Sequence, residues 1–424
     1  MKKTVLSLRI SAAALCLCLI LGLFAACGRA TVDPSKELTK GVQATSVLAR
    51  KTDATFTETQ ARFCVELFKA AASEKGENIL LSPFSVSLAL AMTLNGAEGN
   101  TKTQMENILC GGFDRAALNE YLHTYTAGLP NGEKARLVPA NSVWFCDDGR
   151  IEVKKEFLQT VKDYYSSEVF KEKFDDLIDD KINSWVDEKT EGMIKKLLEE
   201  VDPDTVMFLV NALTFDAEWE TVYDEYATRE GLDFTNADGK VVKADFMYSG
   251  EDVYITDGTA EGFIKPYKGG RFAFAALLPK EGIAIDEYIK GLTAEGLVST
   301  LENKKTAIVT AAIPKFKSEY DISLVETLEK LGMTDAFDGM TADFTSMADP
   351  AVGQLYISDV IHKTFIEVDE RGTKAGAATA VAMNAEGAMV GEIHNITLDR
   401  PFVYMIVDTE NNIPIFIGAL TNIG

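Results

Sequence analysis

Histidine occurs only three times in these 424 residues. There is also no Gly-x-Ser-x-Gly elbow, His-Glu-x-x-His pair, Walker loop or glycine-rich dinucleotide pattern. No local motif sets a nucleophile beside its base, so a hydrolase has no support here, and no cofactor is expected. Cysteine is scarce as well. Of the six, Cys16, Cys18 and Cys27 fall in the first 27 residues, and Cys64, Cys110 and Cys146 have neither metal-ligand spacing nor an even count for full pairing. Core packing is the expectation for these three, and no metal site is expected. Positive charge is in deficit: 42 Lys and Arg face 65 Asp and Glu, for a net −23, and Lys2, Lys3 and Arg9 sit in the N-terminal leader. A polyanion needs a basic patch, which excludes nucleic acid and heparin-like partners. Repeats and long low-complexity linkers are missing from residues 60–424, so one large domain is expected rather than two.

The N-terminus reads as a targeting segment. Lys2 and Lys3 precede an apolar run over 5–26 that ends Leu23-Phe24-Ala25-Ala26-Cys27-Gly28, with small residues at the cut and a cysteine just after it. This resembles a bacterial lipoprotein signal, with Phe24 where Leu is usual; the competing reading is an uncleaved membrane-spanning helix. The expected division is a signal peptide over 1–26, a lipidated Cys27 with a flexible tether over 27–55, and a folded domain over 56–424. Either N-terminal reading places the domain outside the cytoplasm, at a bacterial cell surface. Helical period marks 61–72, 85–94, 181–185 and 323–331. Strand-like runs lie at 206–214, 272–278, 307–313, 403–407 and 415–420. Of the histidines, His123 and His394 are expected at the surface and His362, between Ile361 and Phe365, in the core. Asn395-Ile396-Thr397 fits the N-glycosylation pattern and carries little weight beside a bacterial leader.

The segment from Val368 to Met383 runs from an acidic turn into a strip of small side chains. Read as a strand, it puts Thr373, Ala375, Ala377, Thr379, Val381, Met383 and Ala385 on one small or apolar face, and Lys374, Asn384 and Glu386 on the other. A helix is the alternative, because alanine is the best helix former. Gly372, Gly376 and the β-branched Thr373, Thr379 and Val381 argue against it. Glu370-Arg371-Gly372-Thr373-Lys374-Ala375-Gly376-Ala377-Ala378-Thr379 is similar to the reactive-loop hinge of serpins. Further fragments follow the same family in order: Asn78 to Val86 with its Ser82-Pro83-Phe84-Ser85, Asn95 to Thr101, Asn183-Ser184-Trp185-Val186, and Leu209 to Phe215 leading to Trp219. Ile313-Pro314-Lys315-Phe316, Ala342-Asp343-Phe344, Ile361-His362-Lys363 and Asp399-Arg400-Pro401-Phe402 complete the series.

The resemblance implies an α+β serpin fold of three β-sheets and about eight or nine helices, with an exposed reactive loop over about 372–397. It implies a monomer that inhibits a secreted or host serine protease, or a cysteine protease, through a covalent acyl complex. The hinge would comprise Gly372, Thr373, Lys374, Ala375, Gly376, Ala377, Ala378 and Thr379. Ser82, Ser85, Asn211 and His362 would form the buried shutter cluster, and Trp219 would lie under the breach where the loop enters. Family spacing puts the reactive bond at Glu386-Gly387; a longer run to Pro401 than usual leaves Ala388, Met389 and Val390 as alternatives. A non-inhibitory serpin acting as a surface binding or structural protein is the rival reading. Its inward hinge residues would be bulky or charged, unlike Thr373, Ala375, Ala377 and Thr379. Lys374, where the family usually has an acid, and Gly376, in place of Ala, lie on the outward face; slower insertion is expected from them.

Overall fold

The computed structural model describes residues 30–72, 77–132, 135–199, 201–202, 205–224, 226–350, 354–373 and 392–423. Cys27, the hinge from Lys374 to Thr379 and all the candidate reactive-bond residues lie outside them. Nine α-helices and three sheets are formed among the described residues, an α+β architecture as expected.

The seven-stranded sheet positions the site. Its middle strands are Phe316–Ser323, Asp359–Val368, Met207–Glu218 and Ala135–Cys146, with Glu168–Glu172 beyond. All neighbours here are antiparallel except Asp359–Val368 on Met207–Glu218 and Ala135–Cys146 on Glu168–Glu172. Met207–Glu218 is buried along nearly its whole length, and it reads as an almost continuous apolar run because both faces are covered. The outer face carries helix Ile178–Lys189, whose Ile182, Trp185 and Val186 pack with Trp144, Phe170, Phe208 and Ile361 into a cluster separate from the main core. The inner face meets helix Pro83–Leu94, which is buried on every side. Ser82 caps that helix through its hydroxyl and Pro83 takes the first turn, where a missing amide costs nothing.

Behind the helix lies a nine-stranded sheet that includes Phe272–Pro279, Phe402–Asp408 and Ile413–Leu420. The long strand Val241–Thr256 turns its corner, pairing with Thr228–Thr235 and Lys305–Pro314 and then with Ala260–Pro266. Ile393–Thr397 forms one edge, parallel to Lys305–Pro314. A small sheet joins Ile151–Val153 to Ala348–Pro350. Cys64, Cys110 and Cys146 are buried free thiols; burial pushes Cys110 up to about 12, so none is poised to react.

Two expectations need correction. Of the stretch 27–55 expected as a tether, the described part lies along the body. Leu38 N–H donates to Val169 O and Lys171 N–H to Lys36 O, which extends the sheet edge. Lys36 pairs with Asp147 at 2.6 Å, Thr45 donates to Asp163, Arg50 pairs with Glu120, and Thr52 donates to Asn411. Val32, Leu38 and Val42 also pack against the core clusters, three apolar contacts too sparse to make a period. His394, expected exposed, is stacked on Tyr254 with ring centroids 3.8 Å apart and is largely covered.

Candidate functional site

The central sheet is closed at one end and open at the other. Asp359–Val368 and Met207–Glu218 pair in parallel only from Asp359↔Phe208 to Thr364↔Leu213. Past that rung both strands continue, to Val368 and Glu218, but no longer with each other. At the far end Gly372–Thr373 sits between them, Thr373 opposite Val368 on one side and Ala217 on the other. A slot is therefore already occupied by the first residues of the hinge.

Gly372 passes where only glycine fits, since a Cβ there would lie 2.0 Å from the Ala217 carbonyl oxygen. Thr373 is fully buried, and its hydroxyl lies 2.5 Å from the Tyr267 hydroxyl. Tyr267 stacks on Trp219 at 4.4 Å. Trp219 is buried; its indole N–H donates to Asp369 O at 2.9 Å and its amide to Arg371 O at 2.8 Å, gripping the turn before the hinge. Beneath it Lys265 and Glu251 form a buried pair at 2.8 Å, with the Lys265 ammonium over the Tyr223 ring. At the same turn Glu370 pairs with Lys315 at 3.0 Å and accepts from Thr228. Burial raises the Glu370 pKa, but these partners and a backbone hydrogen bond outweigh it and hold the carboxyl below its ordinary value.

Six residues down the strands from the rung of Thr373, in the closed end, Ser82, Ser85, Asn211 and His362 meet. His362 Nε2 accepts the Ser82 amide (3.1 Å), which leaves the ring proton on Nδ1 to donate to Asn211 Oδ1 at 2.6 Å. The Asn211 amide reaches Ser85 O, Ser85 Oγ and Asn141 Oδ1 within 2.6–2.7 Å, three acceptors for two protons, so one is shared. Ser82 Oγ donates to Ile415 O. The cluster spans the rung His362–Asn211–Asn141 across three strands. Opening the slot farther means breaking the His362–Asn211 bond, while Ser82 still holds His362 Nε2 and Ser85 and Asn141 still hold the Asn211 amide protons.

A match to the family model for Serpin (serine protease inhibitor) covers residues 58–423. This chain is a serpin. It is 32% identical over 373 residues to Iris of Ixodes ricinus, covering 84% of this chain and 96% of that one. A serpin-like protein of Thermococcus kodakarensis is 31% identical over 366 residues, covering 85% and 84% of the two chains. Among solved structures, the thermophilic serpin tengpin in its native state is 46% identical, with a TM-score of 0.87 over 91% of this chain and 99% of that one. Tengpin in its latent state gives 0.78 at 43% identity over 89% and 100%. Serpins are in general protease inhibitors rather than enzymes.

The structure brings together every described residue expected at the serpin shutter and breach, and adds Asn141, Tyr267 and the Lys265–Glu251 pair. Asn141, a polar residue inside the run Val138 to Phe145, was the one visible signal, since a buried amide in a strand needs a partner.

Burial without a charged partner depresses His362 from its ordinary 6.5 to about 3. The folded chain keeps the ring neutral while the unfolded chain protonates it below 6.5. Stability is therefore complete above 6.5 and lost as pH falls toward 3, at about 1.4 kcal/mol per pH unit. The urea midpoint should fall between pH 7.5 and 5, and His362→Asn should flatten that fall. Parallel curves for the two proteins would assign the acid sensitivity to other groups.

Proposed function

We propose that this serpin is a suicide-substrate inhibitor of an extracellular serine protease. The observation that carries this reading is Thr373 seated between Val368 and Ala217: the hinge has begun to enter a sheet whose strands have already parted to admit it. The higher similarity to native than to latent tengpin also favours a form with loop still to insert. The protease's serine oxygen attacks the Glu386 carbonyl and an ester forms. The peptide C–N bond breaks, and the new Gly387 amine takes its proton from the protease's own base. The freed hinge then continues as a central strand. Fourteen residues, Thr373 to Glu386, at ~3.3 Å each would carry the tethered enzyme roughly 45 Å along the sheet, before water can cleave the ester. Glu386 favours a glutamate-preferring enzyme; a bond at Ala388, Met389 or Val390 would favour an elastase-like one. Incubation with both kinds of enzyme, followed by denaturing gel and peptide mapping, should give a complex that survives boiling and locates the bond. Cleaved chain without complex from every enzyme would favour the non-inhibitory reading.

The same reading puts the inhibitor at the outer face of a bacterial membrane, held by a diacylglyceryl group on Cys27. Two acyl chains suffice for stable anchoring where one is marginal. Val32 already packs against the Trp144 and Trp185 cluster, and the five steps from Cys27 to it reach at most about 18 Å, so the domain rides close to the surface. Cys27→Ser should release the protein from membranes with inhibition unchanged. Retention of the variant would favour a membrane-spanning leader.

A further inference from the structure

Lys265 stands in the apolar run Phe263-Ile264-Lys265-Pro266-Tyr267, and its side chain is only 3% exposed. Its partner Glu251, on the strand Val241–Thr256, is almost as deeply buried. That carboxylate accepts from Lys265 at 2.8 Å and from the Ser249 hydroxyl at 2.5 Å, and Ser249 also lies 3.4 Å from the Tyr223 hydroxyl. For stability alone, an apolar pair of similar volume would serve about as well as two desolvated charges. It could not supply a cation facing aromatic rings. The Lys265 ammonium lies 4.4 Å from the Tyr223 ring centroid and 5.4 Å from that of Trp219. These two residues hold the turn before the hinge. The Trp219 amide donates to Arg371 O at 2.8 Å, the Tyr223 amide to Glu370 O at 3.0 Å, and the Trp219 indole to Asp369 O at 2.9 Å. Three consecutive carbonyls are thus taken by two residues whose rings one ammonium reaches. Tyr267, whose hydroxyl meets Thr373, stacks on the same Trp219.

We infer that Lys265 is a positioning residue for strand insertion. Its ammonium, fixed in the interior by Glu251, seats the Trp219 and Tyr223 rings, and through them the turn 369–371 and the first residues of the hinge. Glu251 keeps the charge buried and in place; the rings are what the charge acts on. With the seat intact, Thr373 is presented between Val368 and Ala217 in one register, ready to lead the strand that follows. Without it, the turn keeps its hydrogen-bonding groups but loses the fixed rings that aim them, and entry of the hinge slows. This rests on the insertion mechanism proposed above and adds the group that sets the hinge's point of entry.

A pair of variants separates seating from plain stability. Lys265→Met keeps the volume, removes the cation and strands Glu251 in the interior, so the melting temperature should fall. Adding Glu251→Gln removes the second charge and should restore most of that loss, while the rings still lack their cation. With a protease that the unaltered protein traps, insertion in the double variant should slow about tenfold, and boiling-stable complex should give way to cleaved chain accordingly. Tryptophan emission should shift in the double variant, and the shift should vanish when Trp219→Phe is added. Lys265→Arg, which keeps a cation at the rings, should retain more complex than Lys265→Met. A double variant that regains both melting temperature and complex yield would reduce the pair to core packing and overturn the inference. Should the melting temperature not recover, the arginine variant decides: a yield no better than that of Lys265→Met would overturn it. Absence of complex from the unaltered protein with every protease would overturn the inhibitory reading instead, and the positioning role with it.

Discussion

Thr373→Arg should turn the inhibitor into a substrate. Thr373 is fully buried between Val368 and Ala217, with its hydroxyl on Tyr267 and the Trp219 ring stacked behind. The neighbouring cation, Lys265, is already committed to Glu251, so an arginine at 373 would find like charge nearby and that carboxylate already engaged. Burying an unpaired guanidinium there costs on the order of 3–5 kcal/mol. At ~1.4 kcal/mol per factor of ten, insertion slows by at least about 100-fold. Deacylation by water then wins the race. The yield of boiling-stable complex, read against cleaved chain on a gel, should fall from the major product to a trace. Thr373→Val, which keeps the size and loses only the hydroxyl, should retain most of the complex. An undiminished yield from Thr373→Arg would remove strand insertion from the mechanism.

Why the sequence revealed some of this and not the rest follows from where each partner lies. Ser82, Ser85, Asn211 and His362 were readable because each sits in a short fragment of fixed order, and Gly372 because the hinge fragment contains it. The contacts that decide the geometry are long-range. Tyr267 meets Thr373 across 106 residues, and Asn141 meets Asn211 across 70; no periodicity reports such pairs. The N-terminal stretch was misread for a related reason. Lys36, Thr45, Arg50 and Thr52 hold it to the body by hydrogen bonds and ion pairs, and its apolar contacts, Val32, Leu38 and Val42, are too few to set a period. The cover of His394, Tyr254, is 140 residues away in sequence, on another strand of the same sheet.

On the proposed mechanism the loop joins the central sheet as a full strand only after cleavage, and melting before and after the cut tests this most directly. From the rung Asp216–Glu367 down to Phe208–Asp359, an entering strand would gain ladders on both sides in exchange for the single parallel ladder it replaces. The net is about ten hydrogen bonds at ~1 kcal/mol each, or roughly 10 kcal/mol. At about 2 °C per kcal/mol for a domain of this size, Tm should rise by roughly 20 °C once the loop is cut. On that mechanism the uncut protein would persist behind a kinetic barrier to which the His362–Asn211 bond contributes. A cut protein that melts about 20 °C higher, with the new N-terminus mapped within 387–391, is the result this account predicts. A cut protein that melts at the same temperature or lower would contradict it.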